Sequence, residues 1–191
     1  MKLSTIALAA ALSVAQLVSA GPYKRDVEAD RKATVALFKD GNPKSEAIGT
    51  VTFSQAGPNS TVQITGTLKG LSPNAKRGFH IHQYADFSKG CLSAGGHFNP
   101  TKKQHGAPTD EDRHVGDLGN IQTDKDGVAT LDFMDHVISL YEPNAITTHS
   151  VVLHYGEDDL GKGQGAKKAD SQKTGNAGGR HACGPIVQAS D

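Results

Sequence analysis

From residue 33 onward, apolar and polar residues alternate with a period of two, and this constrains the fold more than any other feature of the chain. Thr34-Val35-Ala36-Leu37-Phe38 and Gly49-Thr50-Val51-Thr52-Phe53 are β-branched and aromatic runs separated by Asp40-Gly41-Asn42-Pro43. The run from Thr61 to Leu68 alternates well before Leu71-Ser72-Pro73-Asn74 turns the chain, and Gly78-Phe79-His80-Ile81-His82 is the next strand. Later strands are expected at 127–133, 150–155 and 183–187, while 135–140 fits either a strand or a short turn. Several short strands with turn signals predict an all-β sandwich or barrel, in one domain over about residues 30–191. Two polar, glycine-rich stretches, roughly 86–117 and 157–179, lie between strands. Structureless segments longer than about 15 residues are uncommon unless functional.

The N-terminus reads as a processed leader. Lys2, the apolar stretch from Ile6 to Val18 and the small residues Val18-Ser19-Ala20 form a secretory signal over 1–20. Lys24-Arg25 offers a second cut, so 21–25 would be a propeptide and 26–191 the mature domain; Gly21 is the alternative start. No other segment approaches the roughly 20 apolar residues of a membrane helix. Export makes Asn59-Ser60-Thr61, just after Gly57-Pro58, a glycosylation acceptor by motif. The precursor carries 20 basic and 20 acidic residues, so nothing suggests a nucleic-acid partner. Removing 1–25 takes three cations and no acid, which leaves the mature chain about three charges negative.

Nine histidines against only two cysteines direct attention to metal ligands other than thiolates. His80 and His82 are one residue apart in a strand, so both rings project from one face. The stretch that follows supplies His97, His105, His114 and Asp117, spaced H-x7-H-x8-H-x2-D. Three imidazoles and one carboxylate match the ligand types and number of a tetrahedral zinc site. His154 ends a predicted strand just before the second glycine-rich stretch. Each histidine alone reads as well as a surface residue; together they read as a site.

Longer motifs accompany these ligands: Gly90-Cys91, His97-Phe98-Asn99-Pro100, Arg113-His114-Val115-Gly116-Asp117-Leu118-Gly119-Asn120, Asp158-Asp159-Leu160-Gly161-Lys162-Gly163 and Lys173-Thr174-Gly175-Asn176-Ala177-Gly178-Gly179-Arg180. With them, nearly all of 33–187 resembles the copper/zinc superoxide dismutases of the secreted type. The resemblance implies an eight-stranded Greek-key β-barrel, an immunoglobulin-like sandwich with two long functional loops. It implies copper on His80, His82, His97 and His154, and zinc on His97, His105, His114 and Asp117, with His97 shared. Asp158 would link His80 to His105, Cys91 would pair with Cys183, and Arg180 would guide the anion. Thr174 would shape the channel mouth, and Lys173 would add positive field. The reaction implied is disproportionation of superoxide to dioxygen and hydrogen peroxide outside the cell. The alternative is a copper-carrying protein of the same fold without turnover.

Three departures from that resemblance bear on function. The second stretch is long and carries Lys167 and Lys168 where a pair of glutamates commonly sits, which reads either as a stronger field for superoxide or as a solvated loop face. Gly95-Gly96 precedes His97 where many relatives have Gly-Pro. Thr147, Pro185 and Gln188 stand where dimeric relatives tend to present aliphatic residues, which leaves the usual homodimer open. His136, His149 and His181 are expected at the surface.

Overall fold

A computed structural model describes residues 30–189; the leader and the Lys24-Arg25 pair lie outside these residues. Among the described residues the strands are β1 (Arg31–Lys39), β2 (Ala47–Gln55), β3 (Val62–Leu68), β4 (Lys76–His82), β5 (Ser88–Cys91), β6 (Asp117–Gln122), β7 (Ala129–Asp135), β8 (Ser150–His154), β9 (Arg180–Pro185) and β10 (Val187–Gln188), with one α-helix, α1 (Lys168–Thr174). Eight of them form one antiparallel sheet in the order β6-β4-β8-β9-β1-β2-β3-β7, and β10 adds to the edge of β1. The sheet curls until its outer strands, β6 and β7, come close, which gives a nearly closed barrel. β1, β2 and β3 follow one another as hairpins, whereas β3 to β4 and β7 to β8 cross from one side to the other, the Greek-key arrangement.

Alternation fills the barrel as expected. Ala33, Val35 and Leu37 of β1, Val51 and Phe53 of β2, Ile64 and Leu68 of β3, and Phe79 and Ile81 of β4 are all buried in one core. Gly49 shows how the parity is corrected where alternation fails. Leu37 pairs with Gly49 but Phe38 with Ala47, so Ile48 is an extra residue, a β-bulge. Gly49 sits there at φ 154, and a side-chain carbon would overlap the Thr67 carbonyl.

β5, a 3-10 turn, β6 and α1 were not expected from the sequence. β6 occupies 117–122, where no strand was expected, because Asp117-Leu118-Gly119-Asn120 lacks a β-branched run and pairs with β4 through a bulge. The stretch after β4 contains β5 and a 3-10 turn, Leu92–Ala94, and the second stretch contains α1. Residues 136–140 form a turn beyond β7, one of the two alternatives left open by the sequence. No helix among the described residues is long and apolar enough to cross a membrane.

Candidate metal centre

β4 and β8 are buried on both faces because the two long connections cover their outer side. Phe79 and Ile81 point into the core, and His80 and His82 point outward under the cover. On neighbouring β8, Val151 and Leu153 point inward, while Val152 packs outward against Cys91, Ala94 and Cys183. His154 therefore emerges on the same outer face. The first connection is stitched back onto β4: Phe98 N–H donates to the Ile81 carbonyl (2.8 Å), and Ile81 N–H to that of Gly116 (2.9 Å). This lays His97 beside His82.

Two groups of four buried residues result, His80/His82/His97/His154 and His97/His105/His114/Asp117, each with its candidate ligand atoms within 4.8 Å of one another. They share His97. All of these residues were expected from the sequence, and all are brought together.

The hydrogen bonds select which ring nitrogen each histidine offers. His80 Nε2–H donates to Asp158 Oδ2 (2.8 Å), leaving Nδ1. His82 Nδ1–H donates to the Gly95 carbonyl (3.0 Å) and His154 Nδ1–H to that of Gly178 (3.1 Å), leaving both Nε2 atoms, which lie 3.4 Å apart. His97 turns Nδ1 to Asp117 Oδ1 (2.7 Å) and Nε2 to the other group. His105 Nδ1 and His114 Nδ1 reach the same Asp117 oxygen at 3.0 and 3.1 Å. Outer acceptors fix tautomer and ring orientation in this way at metal sites.

The arrangement is unfavourable for a protein left to itself and fits a cation. His80 Nδ1 and His97 Nε2 are buried with no hydrogen-bond partner, and each such atom costs about 1–3 kcal/mol. Three nitrogens crowd one carboxylate oxygen, more than one acceptor atom serves well. The donor sets differ in kind. Four imidazoles suit copper, and three imidazoles with a carboxylate suit a closed zinc site.

Electrostatics divide the two groups in the same way. Burial first, and His97 second, push His80 down to about 3 and hold His82 well below its ordinary value. Burial also lowers His97 and pushes His154 down to about 4. His105 is the exception: burial opposes its charge, yet hydrogen bonds to Asp117 and Asp158 raise it to about 9. Burial alone would raise both carboxyls, but the surrounding histidines hold them far below the ordinary carboxylate range.

A model of the copper/zinc superoxide dismutase family matches residues 47–186. The chain belongs to that family. It is 56% identical over 155 residues to a Cu-Zn superoxide dismutase of Cryptococcus neoformans var. grubii, covering 81% of this chain and 96% of that protein. It is 54% identical over 138 residues to the Saccharomyces cerevisiae Cu-Zn superoxide dismutase, covering 72% and 88%. An extracellular Cu-Zn superoxide dismutase of Brugia pahangi is 57% identical over 139 residues, covering 73% and 68%. Copper and zinc, the two metals of the superoxide dismutase family, match the two donor sets above.

The remaining expected site residues fall as follows. Asp158 is fully buried and bridges His80 to His105, accepting from His105 Nε2–H at 2.8 Å. Cys91 and Cys183 are joined, with Cα atoms 5.7 Å apart and a sequence separation of 92. Arg180 faces an open cleft of about 300 Å³ whose walls include His82, His97, His154 and Thr174. Its guanidinium is braced by carbonyls, donating to Cys91 at 2.6 Å, Leu92 at 3.2 Å and Gly95 at 2.5 Å. Lys173, Lys167 and Lys168 are exposed and stand outside the cleft wall.

The acid on that wall is Asp170, which the sequence reading missed. Residue order in the second stretch shows an acid there, but only α1 shows which way it turns. Asn120 was also missed. It clamps the Asp158 backbone with two 2.8 Å bonds, donating from Nδ2 and accepting at Oδ1. Arg113 pairs with buried Asp135 at 2.8 Å and donates to the carbonyls of Pro108 and Val115, tying the loop that carries His105 and His114 to the barrel. Both residues stand in a quoted motif, where sequence shows them without their partners. Of the three histidines expected at the surface, His136 is exposed. His149 instead stacks on Phe98, with ring centres 3.9 Å apart, and His181 is half-buried beside Tyr155.

Proposed function

We propose that the protein disproportionates superoxide outside the cell, at a copper held by His80, His82, His97 and His154 beside a zinc held by His97, His105, His114 and Asp117. The observation that carries this reading is the sharing of His97, with Nδ1 turned to one donor set and Nε2 to the other. Bound copper would supply one-electron redox chemistry, and zinc would supply a fixed divalent charge.

The chain's own residues do the rest. Asp158 orients a ring in each group and thereby couples their geometry. Arg180 presents a fixed cation to the cleft, suited to a small anion. Thr174 lines the same cleft. His97 lines the cleft, and its Nε2 would take up and return a proton only while it is not ligating the metal. Every residue this chemistry needs faces the cleft or lies under it, which favours turnover over simple metal carriage. Metal analysis with a superoxide-decay assay on the purified protein tests the reading. Copper and zinc bound with rapid decay are expected, and both metals bound without catalysis would reject it in favour of carriage.

Extracellular action rests on the leader motif and agrees with the name of the Brugia pahangi relative. The disulfide fits an oxidising route. N-terminal sequencing of the secreted protein should give Asp26. Asn59 is exposed in the turn closed by Ser60 N–H and the Gly57 carbonyl, so a glycan should be found there by deglycosylation and mass measurement. A homodimer would use the positions implied by the resemblance, Thr147, Pro185 and Gln188, and sedimentation would detect it.

A further inference from the structure

Arg180 reaches the cleft through an irregularity in the sheet. Along β8 and β9, Ser150 pairs with Pro185, Val151 with Gly184, Val152 with Cys183 and Leu153 with Ala182. The next pair is His154 with Arg180, so His181 is an extra residue on β9. The pleat makes the consequence plain. Ala182 faces the core with Leu153, and Cys183 faces outward with Val152. Without the extra residue, His181 would stand opposite His154 on the cleft face, and Arg180 would turn inward. One-residue shifts exchange the two faces of a strand, and bulges re-aim side chains in this way.

The bulged residue is held at its carbonyl and at its ring. Its carbonyl accepts from Asp40 N–H at 3.1 Å. Its ring meets Tyr155 edge to face, with ring centres 4.7 Å apart at 78°. Tyr155 is fixed in turn by its own N–H, which donates to the Gly179 carbonyl at 2.8 Å, and the Arg77 guanidinium lies 5.9 Å from its ring centre. Arg77 also donates to the His154 carbonyl at 3.1 Å, so this small cluster touches both chains that line the cleft. Both ring nitrogens of His181 are buried without a partner, so packing rather than hydrogen bonding holds the ring.

We infer that His181 and Tyr155 are positioning residues: their edge-to-face pair locks the bulge that puts Arg180 on the cleft face beside His154. Neither touches the reacting atoms. The inference rests on the proposed role of Arg180 as the anion-binding group, and the test separates the two.

The affinity of the metal-loaded enzyme for inorganic phosphate is measured by calorimetry, together with the copper electron paramagnetic resonance spectrum, for Tyr155→Ala, His181→Gly, Tyr155→Phe and Arg180→Ile. Loss of an aromatic pair should weaken phosphate binding roughly three- to tenfold in Tyr155→Ala and His181→Gly. The ionic-strength dependence of kcat/KM should flatten in both, with metal content and the copper spectrum retained. Tyr155→Phe keeps the ring and should bind phosphate as the unaltered protein does. Tyr155 is 59% exposed, so its replacement should not prevent folding. If Arg180→Ile weakens phosphate binding but Tyr155→Ala and His181→Gly do not, the positioning role is overturned. If Arg180→Ile itself leaves phosphate binding unchanged, the role assigned to Arg180 fails.

Discussion

Replacing Gly175 with alanine measures how closely the backbone of the second long connection is fitted to Asp158. Gly175 caps α1 at φ 67 and ψ 15, and its N–H donates to the Ser171 carbonyl. A left-handed backbone costs an alanine about 1–2 kcal/mol. The added carbon would also overlap Asp158 Oδ1 and lie 2.5 Å from His105 Nε2. That carboxylate accepts from His80, His105 and the Leu160 N–H, at 2.8, 2.8 and 2.7 Å. Displacing it breaks at least one buried hydrogen bond to a charged group, about 1.5–3 kcal/mol. The two effects come to roughly 2.5–5 kcal/mol, or about 5–20 °C in midpoint at 2–4 °C per kcal/mol. Zinc affinity should fall about 10–100-fold, the usual consequence of disturbing an outer partner of a ligand. Gly70→Ala is the control, because Gly70 has φ 70 but nothing within 4 Å of an added carbon. It should cost only the backbone part and leave zinc untouched. Calorimetry of the metal-free proteins and chelator competition for zinc provide both numbers. If Gly175→Ala matches Gly70→Ala in midpoint and in zinc affinity, Asp158 is not held as argued.

Other outcomes follow from the same structure. Asp170 is the acid on the cleft wall, whereas Lys167 and Lys168 stand off it. Asp170→Asn should therefore raise kcat/KM at low ionic strength by about twofold or more, and Lys167→Glu/Lys168→Glu should change it less; the reverse order would contradict this placement. Reducing the Cys91–Cys183 bond, which closes a loop of 92 residues, should cost about 4–5 kcal/mol in the chain-entropy model, read from urea unfolding of oxidised and reduced protein. A loss below about 1 kcal/mol would count against that model here. For the metal-free protein, His80 at about 3 and His154 at about 4 stay neutral in the fold while the unfolded chain takes protons below 6.5, so their contribution is lost as pH falls from 6.5. His105 at about 9 contributes fully below 6.5 and loses that contribution as pH rises through 9. The melting midpoint of the metal-free protein should accordingly peak near pH 6.5, and a monotonic rise or fall across pH 4 to 9 would refute the assignment.

What the sequence made legible was governed by period two. It placed His80 and His82 on one face of β4, and the core residues Val35, Leu37, Val51 and Phe53 on the other side of the sheet. Alternation failed where bulges reset it. β6 begins at Asp117 beside the bulge opposite Gly78 and His80, and the start of β9 is masked by His181, so a strand expected from 183 begins at Arg180. α1 escaped notice because seven residues between glycine-rich flanks carry too little periodicity. The ligand set was readable as residue types at characteristic spacings. The orientation of each ring was not, since it depends on distant acceptors: the Gly95 and Gly178 carbonyls, and Asp158, itself clamped by Asn120. The pairing of Cys91 with Cys183 came from resemblance, and the adjacency of β5 and β9 supplies its physical reason.

The account turns on one imidazole serving two cations, so the most direct measurement is a pair of binding isotherms, copper and zinc, for the unaltered protein and for His97→Ala. Both affinities should fall in the variant, because His97 Nε2 belongs to one donor set and Nδ1 to the other. Loss of one metal with undiminished affinity for the other would show that the two groups do not share His97, and would contradict the central claim.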